Sequence, residues 1–249
     1  MLHAPPLPGS PGYRGDLHHV YNHVLRDAEI LVANGVDGLL LENFGDAPFF
    51  PRNVPEHVVA HMTALASEIK RRFRVPLGIN ILRNDAVAAM AVAHAVGAEF
   101  IRVNVLVGAT LTDQGLVQGV AHQLLRQRTI LGADNVKILA DVDVKHAIPL
   151  ASRPIAEEAR DAIRRGGADG LIVSGSSTGE PTDLNVLQEV KNAVKKIPVI
   201  IGSGVTAKSV ADAAQVADGL IVGSWLKVDG VVTNPIDPER VAKLVKRLR

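Results

Sequence analysis

The chain has 249 residues, 47% hydrophobic and 21% charged, with a formal net charge of +1. That balance builds a buried core and excludes disorder, and the near-zero charge gives no broad attraction to nucleic acid or anionic lipid. Trp, Tyr and Phe number 1, 2 and 5, too few for a base-stacking platform, and the absence of cysteine excludes disulfides, thiolate metal sites and thiol nucleophiles.

In chain order, the opening segment MLHAPPLPGSPG carries no basic stretch followed by an apolar run, so it does not read as a signal peptide. Met1–His3 supplies a first, short strand. Asp16 caps a helix with Leu17, Val20, Tyr21, Val24, Leu25, Ala28 and Leu31 on its apolar face, closed by Gly35. Apolar runs follow at Leu39–Leu41, Leu77–Leu82, Phe100–Leu106, Lys137–Val144, Leu171–Ser174, Val199–Gly202 and Leu220–Gly223. Between them lie polar loops and amphipathic segments. Asn84 or Asp85 starts one helix that ends at Gly97, Thr206 caps Ala207–Val216, and Pro238 opens the last helix. The runs are strand-sized, so no membrane-spanning segment is expected, and the expected location is cytoplasmic.

Continuous apolar strands alternating with helices indicate a parallel sheet covered on both faces. The expected architecture is α/β, one (β/α)8 TIM barrel over residues 1–249, a fold of typically ~250 residues. An open doubly wound sheet is the alternative, but no dinucleotide fingerprint supports it. Too few residues precede His3 for a full first strand of ~5 residues. The expectation is a start upstream of Met1 or a frayed gap between the second and eighth strands.

Strand alternation separates the two faces of each run. Ile138, Ala140, Val142 and Val144 form one face of the fifth strand, against Leu139, Asp141, Asp143 and Lys145. Helices cover the outside, so the polar set faces the lumen and its mouth. The same parse places Arg102 and Asn104, Asn80, Glu42 and Ser174 inward. A buried hydrogen-bond network, with Arg102 and Asp141 as an ion pair, is the plain structural explanation. So many inward polar groups favour a ligand site.

The sharpest local signal is a phosphate cradle. Gly202-Ser203-Gly204 ends one strand and Gly223-Ser224 ends the next. Barrels often bind phosphate with the loops after strands seven and eight, where glycines let backbone N–H groups approach an anion. Tight turns alone are the competing explanation. The donor-rich loop Ser174–Gly179, which includes Thr178, faces the same mouth. Candidate acid–base groups are Glu42, Asp141, Asp143, Lys145 and His3, with Lys145 also suited to clamp an anion. Asp141, Asp143 and Glu42 together offer a minor option for Mg²⁺; no cofactor is otherwise expected. His57 and His61, and the cluster His18, His19 and His23, read as helix-surface residues. Trp225 is expected beside the phosphate loop or at the rim.

A family resemblance rests on His3-Ala-Pro-Pro-Leu-Pro-Gly-Ser-Pro11, Glu42-Asn-Phe-Gly-Asp46, Gly78-Ile-Asn-Ile-Leu-Arg-Asn-Asp85 and Arg102-Val-Asn104 with Thr112-Asp-Gln-Gly115. It continues through Ala140-Asp-Val-Asp-Val-Lys-His-Ala147, Val173-Ser-Gly175 with Thr178-Gly-Glu-Pro181, and Gly202-Ser-Gly-Val-Thr206. With these ordered motifs the whole chain resembles the BtpA/SgcQ family. The resemblance implies a TIM-type barrel akin to phosphate-binding barrels. It places His3, Glu42, Asn43, Asn80, Asn104, Asp141, Lys145, Ser174, Thr178, Gly202, Gly204, Gly223 and Ser224 around one mouth. Cyanobacterial members are associated with photosystem I biogenesis, and other bacterial relatives with sugar metabolism or nucleosidase chemistry. Two departures stand out: the short stretch before His3, and Lys208-Ser209 where an Asn is common.

The expected function is binding and conversion of a phosphorylated sugar or nucleotide-like molecule by isomerase, lyase or nucleosidase-type chemistry. Asp141, Glu42, Lys145, Asn104 and His3 would be the catalytic groups. Asn43, Asn80, Arg102, Asp143, Ser174 and Thr178 would bind the ligand, and Gly202, Ser203, Gly204, Gly223 and Ser224 its phosphate. The alternative is a non-catalytic assembly factor for a photosystem I-type complex that keeps the pocket. The expected partner is a small phosphorylated ligand, not nucleic acid, with a homo-oligomer as the default for barrels.

Overall fold

The computed structural model describes residues 1–142, 144, 147–151, 153–175 and 179–249. The first half of the chain runs β1 (Leu2–His3), α1 (Leu17–Ala33), β2 (Leu39–Glu42), α2 (Glu56–Arg72), β3 (Leu77–Asn80), α3 (Ala86–Val96), β4 (Phe100–Val103), β5 (Ala109–Thr112), β6 (Gly115–Gln118) and α4 (Ala121–Leu131). The second half runs β7 (Lys137–Val142), β8 (Ala147–Pro149), α5 (Ile155–Arg164), β9 (Gly170–Val173), α6 (Leu184–Val194), β10 (Val199–Ile201), α7 (Val210–Val216), β11 (Gly219–Leu220) and α8 (Pro238–Leu248).

Helix ends follow local chemistry. Asp16 accepts a hydrogen bond from His19 N at 2.9 Å and starts α1, whose Val20, Val24, Leu25, Ala28 and Leu31 are buried as the periodicity requires. Asp85 accepts from Ala88 N at 2.9 Å, and Gly97, at φ 67°, ends α3 in the left-handed conformation glycine adopts freely. Asp237 caps α8 with Pro238 in its first turn. One boundary differs from expectation. Thr206 opens a turn, in which its hydroxyl accepts from the N–H groups of Lys208 and Ser209, and α7 begins only at Val210.

Eight parallel strands form one sheet in the order β1-β2-β3-β4-β7-β9-β10-β11. Most of their apolar residues are buried, on both faces, so long-range packing and not amphipathic alternation holds them. Gly78 makes room for Phe100, whose ring occupies the space a Cβ would take. The sheet curls until its ends meet: Met1 N donates to Val222 O at 2.9 Å. The observed ladder runs from β1 to β11 without closing. β1 pairs with β2 alone, through Leu2 with Leu41 and His3 with Glu42. Below this short strand, β2 and β11 flank a cavity of about 510 Å³ lined by Leu39, Leu40, Leu220 and Val222. A short first strand with a gap beside it matches the sequence expectation.

A second, antiparallel sheet, β6-β5-β8, is built from the segments that follow β4 and β7. It was not expected, because its inward residues are Thr110 and Thr112 with Val117, while Leu111, Leu116 and Ile148 point outward. The pattern inverts the usual apolar-in rule.

A buried ion pair ties the loop after β11 to α1. Lys227 Nζ lies 2.6 Å from Asp27 Oδ2, and Ile236 N donates to Asp27 Oδ1 at 2.9 Å. Burial works against both charges. At Asp27 the contacts of His23 and Lys227 outweigh it and hold the carboxyl at about 2. At Lys227 burial prevails over the attraction of Asp27, so the ammonium lies below the ordinary lysine value. His23, read as a surface residue, is instead largely buried, with Nε2 3.4 Å from Asp27 Oδ2. His18, His19 and His57 are exposed as expected, and His61 is half-buried. Among the described residues no helix is long and apolar enough to cross a membrane.

Candidate functional site

A cavity of about 260 Å³ opens at the C-terminal ends of the parallel strands. It brings together His3, Glu42, Arg102, Asn104, Gly202, Ser203, Gly204, Gly223 and Ser224, nine residues proposed from sequence. They arrive from the ends of five strands, β1, β2, β4, β10 and β11, or the loops that follow them, which is where parallel barrel-type sheets gather ligand groups.

His3, Glu42 and Asn80 form one row, because β1, β2 and β3 pair in that register. Asn80 Nδ2 donates to Glu42 Oε2 at 2.5 Å, and His3 Nε2 lies 3.9 Å from Glu42 Oε1. The His3 ring packs on Phe44 with centroids 4.8 Å apart. Glu42 is thus a buried carboxylate with one oxygen held by an amide and the other facing an imidazole. That arrangement suits proton transfer. Asn80 does not line the cavity; it holds Glu42.

Arg102 meets Asp141 as a fork. Nε donates to Oδ2 at 3.1 Å and Nη2 to Oδ1 at 2.9 Å, while Asn104 Nδ2 donates to Oδ2 at 2.7 Å. Burial opposes the Arg102 charge, but the attraction of Asp141 outweighs it and keeps the guanidinium above its ordinary value. The sequence reading offered Asp141 as an acid–base group. In the structure both of its oxygens are engaged by Arg102 and Asn104 and its side chain is fully buried. The same engagement leaves Asp141 ill-suited to Mg²⁺, with a guanidinium where a cation would stand. Among the described residues, no three His, Asp or Glu side chains cluster as metal ligands. Asp143, Lys145 and Thr178 lie outside the described residues.

The two glycine loops lie side by side on the cavity wall, since β10 and β11 are neighbours. Among the described residues, the backbone N–H groups of Ser203, Gly204, Gly223 and Ser224 donate to no acceptor. Free backbone donors at adjacent loop turns are the kind of group that can hold an anion. Part of the glycine pattern has a separate cause. Gly204, at φ 73°, lies where a Cβ would collide with the backbone of Glu180 and Pro181. Ser203 Oγ accepts from Gly175 N at 2.9 Å and donates to Glu180 O at 3.2 Å, so it braces this loop. Ser174 Oγ is buried and has no hydrogen-bond partner among the described residues.

Asn43 is placed elsewhere. Its Oδ1 accepts from Leu82 N at 2.8 Å and its Nδ2 donates to Asp46 Oδ2 at 3.1 Å, joining two loops beside a different cavity. Sequence reasoning did not single out Arg83, which is buried and lines the main cavity with Phe44, Phe49 and Asp113. Burial holds the Arg83 guanidinium below its ordinary value despite Asp141, Asp113 and Glu42 nearby. A basic residue directly after the apolar run Leu77–Leu82 was the available signal. Trp225 follows the cradle in the turn Ser224–Leu226, with the Arg240 guanidinium 5.5 Å from its ring.

Known proteins resemble this chain in sequence and fold. The photosystem I biogenesis protein BtpA of Synechocystis is 46% identical over 248 residues, covering 100% of this chain and 86% of that protein. An uncharacterised protein of Pyrococcus furiosus is 44% identical, covering 100% of this chain and 93% of its own. Among solved structures, N-(5'-phosphoribosyl)anthranilate isomerase of P. furiosus superimposes with a TM-score of 0.59 at 20% identity, covering 90% of this chain and 93% of that one. Mycobacterium tuberculosis tryptophan synthase gives 0.63 at 18% identity, covering 92% and 87%. These structural likenesses show the fold alone. The BtpA family matches across residues 1–249. The chain belongs to the BtpA family.

Proposed function

We propose that this protein is an enzyme acting on a small phosphorylated molecule, a sugar phosphate or nucleotide-like compound, at the mouth of a single (β/α)8 barrel whose first strand is short. The observation that carries the reading is the set of four backbone N–H groups, at Ser203, Gly204, Gly223 and Ser224, without described acceptors on the wall of the cavity that holds Glu42. Phosphate binds those donors. Glu42 moves the proton, with His3 as its neighbour and Asn80 holding its second oxygen. Arg102 and Asn104, fixed by Asp141, orient the rest of the substrate. Lys145, Asp143 and Thr178 are proposed as further ligand contacts. Isomerisation or lysis of a sugar phosphate, or glycosidic cleavage of a nucleotide-like compound, would each call on such a proton-transfer group. The name of the structural neighbour that isomerises a phosphoribosyl compound supports this class. A cytoplasmic setting accompanies it, because phosphorylated metabolites are kept there.

A thermal-shift screen tests the reading. A phosphorylated ligand at one hundred times its Kd stabilises by about 2.7 kcal/mol, which raises Tm by roughly 5–10 °C in a chain of this size. No shift with inorganic phosphate, sugar phosphates or nucleotides would remove the proposal.

The second reading is an assembly factor that keeps the pocket. It is favoured by the Synechocystis relative's name and by the outward row Leu116, Leu111 and Ile148. Turnover of any phosphorylated compound, lost in Glu42→Gln, decides for the enzyme.

A further inference from the structure

Gly202 directly follows β10, and three side chains crowd the space where a side chain of its own would begin. A Cβ at position 202 would stand 2.5 Å from Ser174 Oγ and from Ile172 Cγ2, and 3.5 Å from Arg102 Nη2. That point is one bond of about 1.5 Å from the Gly202 Cα, so the guanidinium of Arg102, which starts from β4, ends within about 5 Å of the glycine loop of β10. Arg102 lines the same cavity as Gly202, Ser203 and Gly204.

The guanidinium has a donor to spare. Nε and Nη2 bond to Asp141 at 3.1 and 2.9 Å. Nη1 bonds to no acceptor among the described residues, yet it is not one of the partnerless polar atoms sealed from water. Arg102 is 3% exposed and borders the main cavity, so the cavity is where Nη1 meets solvent. Beside it, the N–H groups of Ser203 and Gly204 have no described acceptor. An anion oxygen stands about 3 Å from each donor it bonds, a span that one phosphate covers between this loop and Nη1. A planar guanidinium suits phosphate oxygens better than an ammonium does.

Resting on the phosphate reading above, we propose that Arg102 is the cation of the phosphate site: Nη1 donates to a phosphate oxygen held on the Gly202–Gly204 loop, while Nε and Nη2 stay on Asp141. This narrows the role of Arg102 in that reading from the substrate at large to its phosphate. It also gives position 202 a reason to be glycine, since a side chain there would stand between the loop and the guanidinium.

Titration calorimetry with inorganic phosphate tests this at fixed pH and ionic strength. The double variant Arg102→Met with Asp141→Leu removes one positive and one negative charge, so net charge is unchanged and no buried charge is stranded. It is expected to bind phosphate roughly tenfold to a hundredfold more weakly than the wild type, the loss of one charged hydrogen bond. Asp141→Asn disturbs the pair but keeps the guanidinium, and is expected to bind within about twofold of the wild type or more tightly. Should the double variant not fold, Arg102→Lys replaces it: an ammonium has no planar fork to serve Asp141 and the ligand together, and the same weakening is expected. Phosphate binding within about twofold of the wild type in the folded double variant, or in Arg102→Lys standing in for it, overturns the inference alone. So does an equal weakening in Asp141→Asn, which would trace the loss to the broken pair. Failure of the wild type to bind phosphate overturns the cradle reading, and the inference with it.

Discussion

Asp27 and Lys227, two hundred positions apart in the chain, meet as an ion pair at 2.6 Å with side-chain exposures of 1% and 0%. The pair joins α1 to the segment that follows the glycine loop of β11, and so anchors one wall of the candidate site. Burying two charges is expensive unless each satisfies the other. Asp27→Ala strands the ammonium and is expected to cost about 3–5 kcal/mol. Replacing both, Asp27→Leu with Lys227→Met, removes the desolvation penalty along with the attraction and is expected to recover most of that loss. Urea unfolding of the three proteins checks the order.

The same pair sets an acid limit. Asp27 has a folded-state pKa of about 2 against 3.8 when free. The folded protein therefore binds fewer protons than the unfolded chain in that interval, and stability rises with pH across it. The contribution, about 2 kcal/mol, is present above pH 4 and lost as pH falls toward 2. Unfolding curves across that window should show the loss in the wild type and not in the double variant.

Gly204 and Gly97 both adopt positive φ, at 73° and 67°, but only Gly204 faces backbone where a Cβ would stand. Gly97→Ala is expected to cost about 1–2 kcal/mol, the strain of a left-handed alanine. Gly204→Ala adds a collision with Glu180 and Pro181 that no side-chain rotation relieves, so its Tm should fall further. Calorimetry of the two variants measures the difference; equal losses would mean that the 180–181 segment moves aside easily.

Glu42→Gln keeps the shape and removes the proton-accepting charge. On a substrate found by metabolite screening, kcat should fall about 10²–10⁴-fold, while affinity for inorganic phosphate changes less than about twofold. An unchanged kcat would exclude Glu42 as the proton-transfer group.

The strand ends were legible because parity along a buried strand is strict. Glu42, Asn80, Arg102 and Asp141 interrupt apolar runs at positions that can only face the lumen, and all four are buried there. Legible too were the caps Asp16 and Asp85, whose chemistry is local. The β6-β5-β8 sheet was not, since its buried threonines and exposed leucines invert the pattern on which strand reading depends.

By itself, then, the sequence determined the family, the parallel α/β plan, the short first strand and the set of polar groups at the mouth. These follow from composition, periodicity and ordered motifs, which need no knowledge of neighbours. Tertiary structure alone decided which partners each polar group meets. Asp141 became a brace because Arg102 and Asn104 take its oxygens, Asn43 left the site because Leu82 and Asp46 hold it, and Arg83 entered the cavity. The reason is physical: a carboxylate's chemistry depends on the donors within about 3 Å of it, and those donors come from strands that meet only when the sheet curls.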